Sequence, residues 1–218
     1  MSESATQASI PSPAEAWAEM ERGNQRFVAG TPRHPRQDVQ RREELGAGQT
    51  PHAALFGCSD SRLAAEIIFD KGLGDLFVIR NAGQVVSESA LGSIEFAVGV
   101  LHVPLIVVLG HDSCGAVRAA IDSQAADAVP LPPHIDSLVQ KIVPAVQKVA
   151  HTDAAPIDPQ AVDASAVGRE HVRNTIAEML AGSEMISAAV ADGSLAIVGA
   201  NYRLVEGRAD AHVKVGLA

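Results

Sequence analysis

The stretch Leu105-Ile-Val-Val-Leu-Gly-His-Asp-Ser-Cys-Gly115 decides how this chain folds. Its first five residues are apolar and rich in β-branched side chains, and Pro104 and Gly110 bound them. That is the pattern of a short strand buried on both faces. Beyond it come His111 and Cys114, three residues apart, and Cys114 to Asp122 can form the helix that follows. A second stretch has the same design. Ala53 to Gly57 is an apolar run that ends at Cys58, and Ser-Asp-Ser-Arg carries the chain on to Arg62.

Working outward, Leu76 to Ile79 and Leu195 to Gly199 are two more runs of this kind, and Tyr202 to Val213 is expected to add a hairpin turning at Glu206-Gly207. Helical signals fill the intervals. Pro13 suits a first helical turn, and Trp17, Met20 and Phe27 give a partial apolar stripe, so Pro13 to Ala29 reads as a helix. Residues 30–51 carry Gly, Pro and charge without periodicity and read as an extended arm. Leu63 to Asp70 predicts a helical turn or two, broken by Gly72 and Gly74. Ser87 can cap a helix whose buried face is Leu91, Ile94, Val98 and Leu101. Ile135 to Val149 has a strong helical period that Pro144 must kink or break. Val167 to Val190 reads as one long helix, or two joined near Gly182-Ser183. Strands that are apolar throughout and alternate with helices imply an α/β fold, a mostly parallel central β-sheet flanked by helices, with an N-terminal helical arm.

In an open parallel sheet the C-terminal strand ends share one edge, and ligands bind where the strand order reverses. If the strands ending at Cys58 and at Leu109 are neighbours, Cys58, His111 and Cys114 converge although about fifty residues separate them in sequence. Two thiolates and one imidazole leave a fourth tetrahedral position open, which marks catalytic rather than structural zinc. Cys114 at a helix start is favoured as a thiolate by the dipole and the free backbone N–H groups. Taken singly, the motifs have ordinary alternatives: a buried structural thiol, a thiol-redox pair, or an ion pair between Asp60 and Arg62.

Composition bounds the partners. With 218 residues and 47% hydrophobic content, the chain is long enough for one compact domain, taken as residues 13–218 after a disordered tail at 1–12. No apolar run reaches the ~18 residues of a membrane span. The formal charge of −9 with no basic block argues against nucleic acid. The first dozen residues lack a basic start and an apolar h-region, so no secretory signal is expected and a cytoplasmic location is.

Four blocks in order, Gly-Cys-Ser-Asp-Ser-Arg, Phe-Val-Ile-Arg-Asn-Ala-Gly, Gly-Ser-Ile-Glu-Phe-Ala-Val and Val-Val-Leu-Gly-His-Asp-Ser-Cys-Gly-Ala, closely resemble the β-class carbonic anhydrases. The resemblance runs from about Trp17 to about Tyr202 and includes Gly23-Asn24-x-Arg26-Phe27. It implies a zinc enzyme, one ion per chain, that reversibly hydrates carbon dioxide to bicarbonate and a proton. By motif match Cys58, His111 and Cys114 would be the metal ligands and Asp60 and Arg62 the catalytic dyad, with Asp60 a possible fourth ligand in a closed state. Gln49 would orient substrate, and Gly83, Phe96 and Gly115 would shape the pocket. Family members build this pocket at a dimer interface, so a homodimer or a tetramer made as a dimer of dimers is expected. Gln49, together with Leu55 where the regulated bacterial subgroup has the Trp of a bicarbonate site, makes the chain similar to the plant-type enzymes. Alternatives on the same zinc site are a carbon disulfide or carbonyl sulfide hydrolase and a catalytically inactive zinc-binding protein.

Overall fold

A computed structural model describes residues 10–152 and 154–217. The predicted N-terminal tail falls almost wholly on residues 1–9, which lie outside the described residues.

The strands are β1 (Ala53–Cys58), β2 (Leu76–Asn81), β3 (Leu105–His111), β4 (Ala196–Arg203) and β5 (Arg208–Val215). They form one sheet in the order β2-β1-β3-β4-β5. The first four run parallel, and β5 pairs antiparallel with β4. β1 is therefore flanked by both β2 and β3, and strand order reverses there. Leu55 sits opposite Val107 and Gly57 opposite Leu109, so Cys58 and the end of β3 at Gly110-His111 lie side by side at one edge of the sheet.

The period of two along each strand divides the core into two layers. Leu55, Leu105, Val107, Leu109 and Val198 face one side, where Trp17, Met20, Val117, Ile121, Ile142 and Val146 cover them. Ala54, Phe56, Ile106, Val108 and Ile197 face the other, under Ile94, Val98, Val172, Ile176, Met179 and Ile186. The first set of covering residues comes from α1 (Pro13–Val28), α5 (Gly115–Asp122), α7 (Val143–Ala150) and the residue just before α7. The second comes from α4 (Glu88–Gly99), α8 (Ala164–Gly182) and α9 (Glu184–Ala191). Because both faces of β1 and β3 are covered, those two strands show no polar alternation, whereas the edge strand β5 alternates polar and apolar residues and the edge strand β2, expected to be buried, is only partly so. Each large side chain so buried contributes about 1.5–3 kcal/mol. No helix among the described residues is long and apolar enough to cross a membrane.

The Gly23-Asn24-x-Arg26 segment docks α1. A Cβ at Gly23 would lie 1.9 Å from the Phe69 carbonyl oxygen, so only glycine permits this approach. Asn24 donates to the carbonyls of Ile68 and Gly207 and accepts from the Ala209 N–H, tying α1 to α3 (Ala65–Ile68) and to the β4–β5 turn. Arg26 Nε is 2.6 Å from Asp70 Oδ2. Asp70 also accepts from the N–H groups of Arg33 and His34, and Asp75 pairs with Arg36. These buried carboxylates clamp the arm that follows α1.

Three expectations change. The arm is not wholly extended: Asp38 accepts from the Arg41 N–H and starts a short helix, α2 (Val39–Glu44), that runs into a 3-10 turn at Leu45–Ala47. The break near Pro144 falls before it, between α6 (Pro133–Gln140) and α7, because proline suits a first helical turn and here opens α7. The C-terminal hairpin is β4 and β5 themselves, β4 running unbroken through Tyr202 to Arg203 with a register shift at Gly199/Ala200. The 167–190 segment is two helices meeting at Ser183, whose side chain accepts from the Ile186 N–H and caps the second.

Candidate metal centre

The C-terminal ends of β1 and β3 and the N-cap of α5 bring Cys58, His111 and Cys114 together, with their sulfur and nitrogen donor atoms all within 4.8 Å of one another. All three residues are buried, and both thiols are free. His111 Nδ1 is 2.8 Å from the Asp112 carbonyl, which can only accept, so the ring proton sits on Nδ1. That leaves the Nε2 lone pair pointing into the cluster, buried and without a hydrogen-bond partner among the described residues. Cys114 is the N-cap of α5, where the N–H groups of Val117 and Ala116 favour its thiolate.

The sulfurs are tightly coupled. The S–H of Cys114 donating to Cys58 holds the Cys58 pKa down, against the opposing effect of burial and with help from the N–H groups of Gly83 and Asp60. The same contact pushes Cys114 up, as does its burial. Two buried thiols this close share one proton, so a second thiolate forms only with a cation between them. An orphaned imidazole nitrogen beside such a pair fits a tetrahedral zinc with one position open.

Asp60 and Arg62 stand at the rim. Arg62 Nε is 2.8 Å from Asp60 Oδ1 and Nη2 is 2.7 Å from Oδ2, a bidentate pair, while Nη2 also reaches the Ser113 carbonyl. The Arg62 guanidinium holds the Asp60 carboxyl well below the usual carboxylate range. Asp60 Oδ2 lies 3.9 Å from His111 Nε2, so one edge of the carboxylate faces the donor cluster while Arg62 occupies the other. Arg80 fastens this loop from below, donating to the Cys58 carbonyl at 2.9 Å and to the Asp60 carbonyl at 2.6 Å.

Among the other expected residues, Gly83 and Gly115 adjoin the centre. The Gly83 N–H donates to Cys58 Sγ at 3.4 Å, and Gly115 opens α5 directly after Cys114. Gln49 and Phe96 do not join them within one chain. Gln49 is exposed and precedes β1, lining a surface cavity with Leu45, Leu73 and Gly74. Phe96 stacks on Phe77, which pairs in register with Ala54 at the start of β1. Both therefore lie toward the N-terminal end of β1, whereas Cys58 closes its C-terminal end. Leu55 is buried within β1. The grip of Arg80 on the Cys58 loop was foreshadowed only by its place at the end of the neighbouring strand, where Asn81 pairs with Cys58.

Comparison with known proteins gives the same reading. Residues 53–209 match the family model described as carbonic anhydrase. The chain belongs to the β-carbonic anhydrase family. It is 49% identical over 197 residues to carbonic anhydrase 2 of Mycobacterium tuberculosis, covering 90% of this chain and 91% of that one. With the carbonic anhydrase of Mycolicibacterium smegmatis it shares 44% identity over 204 residues, 94% of this chain and 95% of that one. A tetrameric β-carbonic anhydrase from Sordaria macrospora superposes with a TM-score of 0.68 at 25% identity, covering 92% of this chain and 94% of the other. Zinc is the metal of this family, and its Cys-His-Cys donor set is present here.

Proposed function

We propose that this protein hydrates carbon dioxide reversibly to bicarbonate and a proton, using one zinc ion per chain held by Cys58, His111 and Cys114. The observation that carries the proposal is the convergence of three buried donors beside a carboxylate that Arg62 keeps ionised. Zinc bound there supplies Lewis acidity that brings water into the ionisation range of neutral pH. The remaining work falls to the chain. Asp60 Oδ2, facing the cluster, accepts a hydrogen bond from the attacking water and aims its lone pair at carbon dioxide. Arg62 holds Asp60 in place by donating to both of its oxygens, so that the carboxylate orients water instead of turning inward to serve as a fourth ligand. The imidazole proton of His111 stays on Nδ1, committed to the Asp112 carbonyl, which keeps Nε2 available as a donor.

For the residues beyond this centre our reading is that Gly83 and Gly115 form the pocket wall, and that Gln49 and Phe96 contribute to a pocket from a second copy of the chain. Their position at the far end of β1 supports that division. The protein is then a homodimer or a dimer of dimers, which light scattering after gel filtration would measure. Two cysteines that work only as reduced thiols suit a reducing compartment, and we take the cytoplasm as its location.

Stopped-flow hydration assays on wild type and Asp60→Ala, with zinc measured on both, test the mechanism. The expected outcome is full zinc in both and a fall in kcat of about 10²-fold or more in the variant, the scale of a lost acid–base group. Wild type with zinc far below one per chain would remove the site assignment. Full zinc with no hydration would remove the activity.

A further inference from the structure

Behind the metal centre, α8 presents His171 and Thr175 to the turn at residues 82–84. His171 is only 2% exposed, and its Nε2 lies 2.7 Å from the Gly83 carbonyl oxygen. Because a carbonyl can only accept, Nε2 carries the proton and Nδ1 the lone pair. Nδ1 is buried with no hydrogen-bond partner among the described residues. Burial holds the ring's pKa below its ordinary value, so His171 is a neutral imidazole with one donor in use. The single hydroxyl proton of Thr175 lies between two acceptors, the His171 carbonyl at 2.9 Å and the Gln84 carbonyl at 3.4 Å. From the opposite side, Asn81 accepts from the Val85 N–H and donates to the Val85 carbonyl.

The turn gripped in this way is a costly one. Gly83 has φ 77° and Gln84 φ 42°, two successive left-handed residues, and the second is not glycine. What it delivers to the centre is one group, the Gly83 N–H on Cys58 Sγ. Packing alone does not call for an imidazole at 171, since an apolar side chain would fill the space without leaving a buried nitrogen unpaired.

We infer that His171 is a positioning residue of the metal centre: by holding the Gly83 carbonyl it fixes the Gly83 N–H on the Cys58 sulfur. An N–H donated to a thiolate stabilises its charge and fixes the direction of its lone pairs, so losing it weakens the hold of the sulfur on the metal. The inference rests on the zinc reading above.

The test compares His171→Leu, His171→Gln and Thr175→Val with wild type. Zinc affinity is read by competition with a chromophoric chelator, and the thiolate-to-metal charge-transfer band is read in the cobalt-substituted proteins. Leucine has no donor, and its zinc affinity is expected to fall about 10-fold or more, the usual scale for a lost partner of a metal ligand, with a shifted cobalt band. Glutamine can present an N–H to the same carbonyl and is expected to keep both properties near wild type. Thr175→Val should change both in the direction of leucine, by less. A leucine variant with wild-type affinity and spectrum would overturn the inference, and so would a glutamine variant as impaired as leucine, because ring packing would then be the whole role. If the leucine variant does not fold, a Thr175→Val protein indistinguishable from wild type overturns it. Wild-type protein that binds no zinc would instead remove the proposed function itself.

Discussion

Gly83→Ala is the substitution whose consequence can be worked furthest. Gly83 has φ 77°, where an L-residue is disfavoured by about 1–2 kcal/mol. The added methyl would lie 2.9 Å from Ala116 Cβ and 3.0 Å from Ile142 Cδ1. The end of Ile142 can rotate aside, but Ala116 sits on α5 next to the ligand loop and has no rotamer to change. Overpacking of this kind costs about 1–3 kcal/mol. Together the two effects give about 2–5 kcal/mol, and a chain of this size loses about 2–4 °C of Tm per kcal/mol. The expected drop is therefore about 4–20 °C in metal-free protein followed by circular dichroism. A second effect should accompany it. Relief of the strain turns the Gly83 N–H off Cys58 Sγ, so zinc affinity measured by chelator competition falls as well. A loss below about 1 kcal/mol together with unchanged zinc affinity would refute the reasoning, because the turn would then be neither strained nor coupled to the sulfur.

Two further outcomes follow from buried charge. Asp70, whose side chain is 0% exposed, binds Arg26 and two N–H groups of the arm, so Asp70→Asn should destabilise the protein by about 3 kcal/mol and open residues 31–37 to limited proteolysis. Burial raises its carboxyl pKa, but Arg26 and the N–H groups of Arg33 and His34 outweigh that and lower it overall; its stabilisation is thus full above the ordinary carboxylate pKa and lost as pH falls below it, which urea titrations between pH 3 and pH 6, both about the carboxylate range, would show. His171 is held neutral by burial, partly offset by its bond to Gly83 and by the charges of Glu178 and Cys58. A histidine with a lowered folded pKa contributes stability that is full above the unfolded value of about 6.5 and lost as pH drops through it, so wild type should lose stability on acidification from there more steeply than His171→Gln. Parallel stability curves for the two proteins would contradict this.

Much of the centre was legible before any tertiary structure. Leu105–Leu109 and Ala53–Gly57 could only be short buried strands, because apolar β-branched runs bounded by Pro and Gly leave few other arrangements. The chemistry of Cys58, His111 and Cys114 is intrinsic to those side chains, as is the pairing of Asp60 with an arginine two residues on. The start of α7 at Val143, with Pro144 in its first turn, was missed for a local reason: a proline inside an apolar period reads as an interruption until the helix around it is seen.

Other features had no local signal. Whether Cys58 meets His111 depends on β1 lying beside β3, a strand order that neither motif dictates. His171 looks like any histidine in the middle of a helix, and only the packing of α8 against the 82–84 turn, 88 residues away in sequence, makes it a donor to Gly83. The sequence by itself determined which atoms can hold the metal, because donor chemistry belongs to single residues. Only the tertiary structure decided how those atoms are held, since hydrogen bonds such as Arg80 to the Cys58 carbonyl and His171 to Gly83 exist only once strands and helices distant along the chain are packed together.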